Sequence, residues 1–259
     1  MAGLKITFLG TGTSQGVPMI ACECNVCTSS DPRDKRTRSS IFVETPETNW
    51  VIDTGPEFRL QCLREKIRWV ESVIYTHSHT DHVMGFDDLR PFCMPEREIP
   101  IYASAETMAD LKRIFMFAFT GENLFPGYVR PLPQIIDGPF EIAGTKITPL
   151  PVQHGRAKVN GYLFEREGEP LAAYISDCKF IPDYVIDRIH GVKVLILDAL
   201  RHRLHPTHMN VEEALAVAAR VQPGETWFTH LCHELGHAET EASLPPGVRI
   251  AYDGLQLSI

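Results

Sequence analysis

The densest group of metal-binding side chains in the sequence is the hexad His77-Ser-His79-Thr-Asp81-His82. It follows the apolar run Val73 to Tyr75, which predicts a buried strand that leads into a loop. Because side chains alternate along an extended chain, we expect His77 and His79 on one side, while the last two residues of the hexad lie past a bend and can face a second ion. Imidazole and carboxylate together suit zinc, manganese or iron. A polar surface loop is the alternative, and the position behind a strand favours metal binding.

Three later apolar runs also end at a histidine or an aspartate, namely His154, Asp177 and His230. If these strand ends meet at one edge of a sheet, their side chains come together with the hexad. A single histidine at a strand end is usually structural, whereas four such ends favour a site for two metal ions. Two divalent ions about 3.5–4 Å apart can share a water, lower its pKa and so supply a nucleophile at neutral pH.

Three thiols lie close together near the N-terminus, at Cys22, Cys24 and Cys27. Seven cysteines in a chain that we expect in a reducing compartment argue against a disulfide framework. The spacing favours three ligands of a structural zinc ion over three free thiols, and a closed tetrahedral site needs a fourth ligand from elsewhere in the chain.

The composition is that of an ordinary globular protein of 259 residues, with 44% hydrophobic and 22% charged residues. The formal net charge of −8 disfavours a large nucleic-acid footprint, so we expect no stable nucleic-acid partner. One basic stretch fits a solvated loop better than a phosphate-facing rim: Arg33, Lys35, Arg36 and Arg38. No apolar run is long enough to cross a bilayer and no secretory signal is present, so we expect a cytoplasmic protein without a membrane partner.

No repeat or linker divides the chain, so we predict one α/β domain over residues 1–259. Strands are predicted at residues 5–9, 41–43 and 50–52 (a hairpin), 73–75, 140–142, 146–152, 161–165, 171–175, 194–197, 227–228, near 252 and at 255–259. Helices are predicted at 56–66, from 83 to 89, at 105–119 and at 210–221, the last capped by Asn210. Residues 123–133 are predicted to form a surface loop. Asp53 ends a strand, where it either orients metal ligands or stabilises a turn.

The hexad has the pattern HxHxDH, and the sequence resembles the metallo-β-lactamase superfamily along essentially its whole length. This resemblance implies a four-layer αββα sandwich with a metal site at one edge of its two sheets. It also implies that one ion is bound by His77, His79 and His154, that the other is bound by Asp81, His82 and His230, and that both share Asp177.

The cysteine triplet and the segment from Gly10 to Pro18 are similar to those of PhnP-like phosphodiesterases. In that family a histidine three residues after the last metal-binding histidine completes the zinc site, which corresponds to His233 here; Cys232 is a rival fourth ligand. The family also has a catalytic histidine just before the helix at 210–221, which implies that His208 is the general acid. His202 and His205, in the same loop, are interpreted as rim residues.

The resemblance implies hydrolysis of a small cyclic phosphodiester, such as 5-phosphoribosyl 1,2-cyclic phosphate or a cyclic nucleotide, by a hydroxide shared between the two ions. A homodimer is a separate expectation, for which the sequence shows no pattern. A tRNA 3′-end endonuclease, a lactonase or thioester hydrolase and a zinc-stabilised binding module are alternatives. The segment His233 to His237 also fits HExxH, the helical zinc motif of metalloproteases. It follows a predicted strand, and Thr240 occupies the glycine position of the extended motif, so the protease hypothesis is disfavoured.

Overall fold

The computed structural model describes residues 3–94, 97–120 and 127–259, and these form two β-sheets packed face to face. The strands are β1 (Lys5–Gly10), β2 (Ser40–Glu44), β3 (Asn49–Ile52), β4 (Ser72–Ile74), β5 (Ile99–Ala103), β6 (Pro131–Ile135), β7 (Phe140–Ile142), β8 (Thr145–His154), β9 (Ala157–Arg166), β10 (Glu169–Ile175), β11 (Val194–Asp198), β12 (Glu225–Thr229), β13 (Val248–Ile250) and β14 (Gln256–Ser258). One sheet has the order β14-β1-β2-β3-β4-β5-β6 and the other β13-β12-β11-β10-β9-β8-β7.

Helices cover the outer face of each sheet. They are α1 (Phe58–Arg64), α2 (Thr80–Val83), α3 (Ala105–Ile114), α4 (Met116–Phe119), α5 (Asp183–Ile189), α6 (Val211–Val221) and α7 (His237–Ser243), with 3-10 segments at Pro32–Asp34 and Phe86–Cys93. Phe58 and Leu111 pack beneath the helices of the first sheet, and Val185 and Ala214 beneath those of the second. A third apolar core, which includes the fully buried Trp50, fills the space between the sheets. The predicted αββα sandwich is therefore confirmed.

The edge that carries the site is defined by strand direction. Strands β3, β4 and β5 run parallel in one sheet, and β10, β11 and β12 run parallel in the other. Strand β8 is antiparallel to β9, which is antiparallel to β10, so β8 ends at the same edge as β10. Chemically capable residues end or follow these strands: Asp53, His77, His154, Asp177, Asp198 and His230.

Several sequence predictions need correction. The helix predicted at 105–119 is broken at Phe115, whose φ of −108° and ψ of 40° separate α3 from α4. The helix expected from Val83 is instead the end of α2 followed by a 3-10 segment. Residues 123–126 of the predicted loop lie outside the described residues, and Pro131 begins β6 instead. Proline is tolerated there because β6 is an edge strand.

Strand β13 was not predicted, and Tyr252 lies in a turn region rather than in a strand. The predicted hairpin of β2 and β3 and the capped helix α6 are confirmed. Asn210 accepts a hydrogen bond from the Glu213 N–H, and the Glu213 carboxylate accepts one from the Asn210 N–H, so the first turn of α6 is closed by a reciprocal capping box. Within the described residues, no helix is long and apolar enough to cross a membrane.

Candidate metal centre

Three predicted ligands come together as the first group, defined by His77, His79 and His154. Their candidate ligand atoms lie within 4.8 Å of one another. His77 Nε2 and His79 Nδ1 are 2.8 Å apart, and the ring of His154 lies 5.2 Å from that of His79, centroid to centroid. His79 is exposed, whereas the other two histidines are buried. The structure thus brings all three histidines to one point at the strand edge.

The second group is formed by Asp81, His82, Asp177 and His230, again with ligand atoms within 4.8 Å of one another. His82 Nε2 lies 3.3 Å from Asp81 Oδ2 and 3.2 Å from Asp177 Oδ1, and His230 Nε2 lies 3.4 Å from Asp177 Oδ2. Ligand atoms about 2.0–2.2 Å from a tetrahedral zinc ion stand roughly 3.3–3.6 Å apart. Three separations in this group match that spacing, while His230 Nε2 and Asp81 Oδ2 lie 3.9 Å apart.

Asp177 lies between the two groups. Besides its contact with His230, its Oδ2 atom lies 3.9 Å from His154 Nε2, which belongs to the first group. Its Oδ1 atom faces His82. Burial would raise the pKa of the Asp177 carboxyl, but the rings of His230 and His82 hold that pKa well below its usual value. A carboxylate held ionised between two donor groups is suited to bridge two cations.

Buried polar atoms at this point have no hydrogen-bond partner within the described structure: Nε2 of His82, Nε2 of His230 and Oδ1 of Asp177. An unpaired buried polar atom costs about 1–3 kcal/mol. Each of the three can donate an electron pair to a cation. The residues of the second group therefore fit a divalent metal ion.

The tautomers of three histidines are set by a hydrogen bond at the opposite ring nitrogen. His82 Nδ1 lies 2.7 Å from Asp53 Oδ2, and His154 Nδ1 lies 2.9 Å from the Thr207 carbonyl oxygen. Both oxygens are acceptors, so each Nδ1 donates and each Nε2 keeps its lone pair for the site. His77 Nδ1 lies 3.0 Å from the Thr76 hydroxyl, with its Nε2 toward the first group.

Asp53 lies on the side of the His82 ring that is away from the donor groups, and both interpretations left open by the sequence apply to it. Its carboxylate is fully buried and accepts hydrogen bonds from the Thr76 N–H, the Thr76 hydroxyl and His82. Its φ of 63° lies in the left-handed region, where the chain turns out of β3. Asp53 thus orients the ring of His82 and also sits at a turn.

His208 reaches the same edge, as predicted. Its Nε2 lies 4.0 Å from Asp177 Oδ2, its ring stacks 4.6 Å from that of His230, and its Nδ1 lies 2.8 Å from Asp198 Oδ2. Burial lowers the pKa of His208, and the nearby Asp177 opposes this effect. His202 is exposed and His205 half-buried, with the His205 ring 5.2 Å from that of His208.

Asp198 is a supporting residue that the sequence analysis did not assign. Its fully buried carboxylate accepts hydrogen bonds from the Cys178 N–H and from His208, while its Oδ1 lies 3.9 Å from His230 Nδ1. Burial raises the pKa of Asp198 well above the usual value, and His230 opposes this. The signal that could have found it is the one used for Asp177, an aspartate directly after an apolar strand.

The cysteine group consists of Cys22, Cys24, Cys27 and His233, whose ligand atoms lie within 4.8 Å of one another. His233 Nδ1 lies 3.2 Å from Cys22 Sγ and 3.4 Å from Cys24 Sγ. The Cys24 pKa is lowered to about 6, chiefly because the Cys27 N–H donates to its sulfur. Cys232, the rival ligand, lies outside the group and accepts a hydrogen bond from the Glu234 N–H. The geometry favours His233.

Arg36 differs from the solvated loop residue that was expected. Its side chain is fully buried, and its guanidinium donates to the carbonyl oxygens of Cys232 and Leu235 and to Asp34 Oδ1. Asp34 Oδ1 in turn accepts a hydrogen bond from the His237 N–H, at the start of α7. These hydrogen bonds therefore fix the segment between His230 and His237 against the protein interior. Other members of the basic stretch are paired, Arg33 with Asp31 and Arg38 with Glu57.

The HExxH segment does not have protease geometry. Helix α7 begins at His237, so His233 lies before it and the two histidines share no helical face. His233 belongs to the cysteine group, and the His237 side chain is buried against Tyr252.

The glycine-rich N-terminal loop is a packing element: a Cβ atom at Gly10 would lie 1.9 Å from the Arg38 carbonyl oxygen, and Gly12 pairs with Leu231, next to His230.

Comparison with known proteins is consistent with this site. The sequence model of the beta-lactamase superfamily domain matches residues 48–231. The fold also resembles the crystal structure of a diphosphatase from the PhnP family, with 39% identity, a TM-score of 0.92 and coverage of 100% of this chain and 98% of the other. The Zn²⁺-bound PqqB structure from Methylobacterium extorquens has the same fold at 22% identity, with a TM-score of 0.78 over 98% of this chain and 99% of the other.

The chain belongs to the beta-lactamase superfamily, in its metallo-β-lactamase form. Within that superfamily, the 39% identity over the full chain places it with the PhnP family. It is also 35% identical to an octanoyltransferase of Porphyromonas gingivalis (strain ATCC BAA-308 / W83) over 99% of this chain, but it spans only 52% of that protein. Fold, family and donor groups together define a metal-dependent hydrolase.

Proposed function

We propose that the protein is a phosphodiesterase with a binuclear metal centre that hydrolyses a small cyclic phosphodiester, such as 5-phosphoribosyl 1,2-cyclic phosphate or a cyclic nucleotide. The observation that carries this proposal is Asp177, whose two oxygens face the second group while one also approaches His154 of the first. This arrangement suits two cations that share one carboxylate. The likeness to a PhnP-family diphosphatase supports chemistry at phosphorus.

The two groups divide the predicted ligands. The first group would hold one ion and the second group the other, each being zinc, manganese or iron. When bound, two such ions activate a water and neutralise charge that develops on the phosphate oxygens. The protein's own contribution is to fix the donor atoms, through Asp53 and the Thr207 carbonyl behind two of the histidines.

His208 is placed to supply the proton that a leaving alkoxide requires. Its Nε2 points toward Asp177 at the junction of the two groups, while its Nδ1 is held by Asp198. The buried Asp198 carboxylate fixes the ring through its hydrogen bond to Nδ1, so that a proton carried on Nε2 can pass to the departing oxygen. Loss of such an acid typically costs about 10²–10⁴-fold in rate.

The first test replaces Asp177 or His208 by alanine and measures turnover of bis(p-nitrophenyl) phosphate by the metal-loaded protein. Asp177→Ala is expected to abolish turnover because it removes the shared ligand. His202→Ala is the matched control, since that histidine lies in the same loop as His208 but is exposed. Unchanged rates in both site variants would refute the assignment.

A second test isolates the acid role of His208. A p-nitrophenolate anion leaves without protonation far more readily than an alkoxide, so His208→Ala should slow hydrolysis of a cyclic nucleotide more than hydrolysis of the nitrophenyl ester. Equal loss on both substrates would instead assign His208 to metal or substrate binding.

The cysteine group is proposed to hold a structural zinc ion. Zn–S and Zn–N distances of about 2.3 and 2.0–2.1 Å put tetrahedral sulfur and nitrogen ligands roughly 3.5 Å apart, close to the 3.2 and 3.4 Å separations from His233. Metal analysis of Cys24→Ser should show one zinc ion fewer per chain, with the active-site metals retained when they are supplied in excess. Full zinc content in this variant would contradict the assignment.

A further inference from the structure

Two thiols of the cysteine group lie on a single tight turn of the backbone. The Thr28 N–H donates to the Cys24 carbonyl oxygen at 3.0 Å, and the Thr28 hydroxyl donates to the same oxygen. A bond from an N–H to the carbonyl four residues earlier closes one helical turn, on which residues three apart lie on the same face. Cys24 and Cys27 therefore face each other, whereas Cys22 comes from before the turn.

This spacing suits a disulfide between Cys24 and Cys27. Helical geometry puts Cα atoms three residues apart at about 5 Å, within the range of about 4.4–6.8 Å that a disulfide joins. The two Sγ atoms already lie within 4.8 Å of each other. Closing the bond therefore requires only a small movement of two side chains.

The two sulfur atoms differ in exposure and in hydrogen bonding. Cys24 is half-buried, whereas Cys27 is only 5% exposed. The Cys27 N–H donates to Cys24 Sγ at 3.4 Å, and His233 Nδ1 lies 3.4 Å from the same sulfur. A donated N–H stabilises the thiolate, which is the form of cysteine that attacks an oxidant. Cys24 is therefore the accessible nucleophile, and Cys27 is the buried thiol that can resolve its oxidised form.

The other thiols of the chain do not share this arrangement. Four of them are buried, and none belongs to a group of metal-ligating side chains within the described residues: Cys62, Cys93, Cys178 and Cys232. Oxidation by a small reagent is therefore expected to act first on the cysteine group.

We propose that Cys24 and Cys27 are a site of reversible oxidation by a hydroperoxide, at which a disulfide replaces the bound zinc ion. The Cys24 thiolate attacks one oxygen of hydrogen peroxide, which forms a sulfenic acid and releases a hydroxide ion. The Cys27 thiolate then attacks the sulfenic sulfur and expels a second hydroxide ion, so that the disulfide forms. The two sulfur atoms together lose two electrons, and the peroxide gains them.

The disulfide removes two of the four ligands of the cysteine group. Cys22 and His233 remain, which are too few for the closed tetrahedral site of a structural zinc ion. Release of zinc rests on the structural zinc ion proposed above. Formation of the disulfide depends neither on that ion nor on the phosphodiesterase function.

The test treats the zinc-loaded protein with hydrogen peroxide and follows two signals. Intact mass should show the loss of two hydrogen atoms per chain, and peptide mapping should place the link between Cys24 and Cys27. A chromophoric zinc indicator should record the release of about one zinc ion per chain. Dithiothreitol with added zinc should restore both the mass and the zinc content.

Cys27→Ser keeps the nucleophile and removes the resolving thiol, so it should accumulate a sulfenic acid on Cys24 that dimedone traps. Cys62→Ser, outside the cysteine group, is the matched control and should react like the wild type. The proposal is overturned if the wild type forms no link between Cys24 and Cys27, if Cys27→Ser forms a disulfide at the wild-type rate, or if zinc is retained after the link forms. If the untreated protein binds no structural zinc, that assignment fails by itself, and the mapped disulfide still decides whether the two thiols are a redox pair.

Discussion

Replacement of Asp53 by asparagine should weaken the second metal site without unfolding the protein. Asp53 accepts three hydrogen bonds, from the Thr76 N–H at 2.8 Å, the Thr76 hydroxyl at 2.7 Å and His82 Nδ1 at 2.7 Å. Asparagine keeps one acceptor oxygen for the Thr76 N–H. Its amide NH₂ then faces the other two partners, both of which are donors in the native protein.

The two partners respond differently. The Thr76 hydroxyl can accept a hydrogen bond from the new NH₂ group through its second lone pair, because the first faces His77 Nδ1 at 3.0 Å. His82 can satisfy the new NH₂ only by accepting at Nδ1, which moves its proton to Nε2, the atom that faces Asp81 and Asp177. Metal binding then requires either the loss of that proton or a buried unpaired donor, at a cost of about 1–3 kcal/mol. At 1.4 kcal/mol per tenfold, the affinity for the second ion should fall about 5- to 150-fold.

The assay is a competition titration of metal-free protein with a chromophoric zinc chelator, which resolves the successive dissociation constants. Asp110→Asn is the matched control, because Asp110 hydrogen-bonds the same loop at Ser78 but touches no ligand ring. Circular dichroism and urea unfolding check that both variants are folded. A second dissociation constant unchanged by Asp53→Asn would refute the tautomer argument.

Three further predictions follow from contacts elsewhere in the structure. In metal-free protein, burial lowers the pKa of His82, but Asp177 and Asp53 raise it well above 6.5. The second ion must therefore displace a proton from His82, and titrations between about pH 6 and 8 should show its affinity falling about tenfold per unit of decreasing pH; an affinity independent of pH would contradict this. Cys24→Ser should loosen His233 and, because His230 is only three residues away, weaken binding of the second ion. The same titration measures this affinity, with Cys62→Ser, remote from the metal sites, as the control. Asp253→Asn should lower the free energy of unfolding in urea by about 1–3 kcal/mol. One oxygen of this buried carboxylate accepts two hydrogen bonds from Thr11 and the other accepts two from Thr37, and an amide cannot accept all four. An unchanged urea midpoint would contradict this.

The clustering of the candidate metal ligands could be predicted because their chemistry and their position are both visible in the sequence. Histidine and aspartate directly after apolar runs mark strand ends, and parallel strands bring those ends to one edge. The supporting residues were harder to assign. Asp198, like Asp177, directly follows or ends an apolar strand, so the sequence does not distinguish them. Only the fold shows that the Asp177 carboxylate faces the donor groups, whereas the Asp198 carboxylate lies behind the rings of His208 and His230.

Long-range packing accounts for the remaining errors. Arg36 looks like a loop residue because its acceptors, the carbonyls of Cys232 and Leu235, lie about 200 positions away and are backbone atoms without a sequence signature. The apolar pattern runs through Phe115 without a break, although the backbone changes direction there. Prolines 131 and 133 argued for a loop, but an edge strand needs fewer ladder donors and accepts them.

The buried Arg36 has a consequence for how this protein can adapt. Its hydrogen bonds to the carbonyl oxygens of Cys232 and Leu235 tie the segment after His230 to the interior, so the backbone of this segment tolerates little rearrangement. The hairpin turn at 155–156 has no such restraint on its outward side chain. Exposed loop residues of this kind can be exchanged without disturbing the segment that Arg36 fixes.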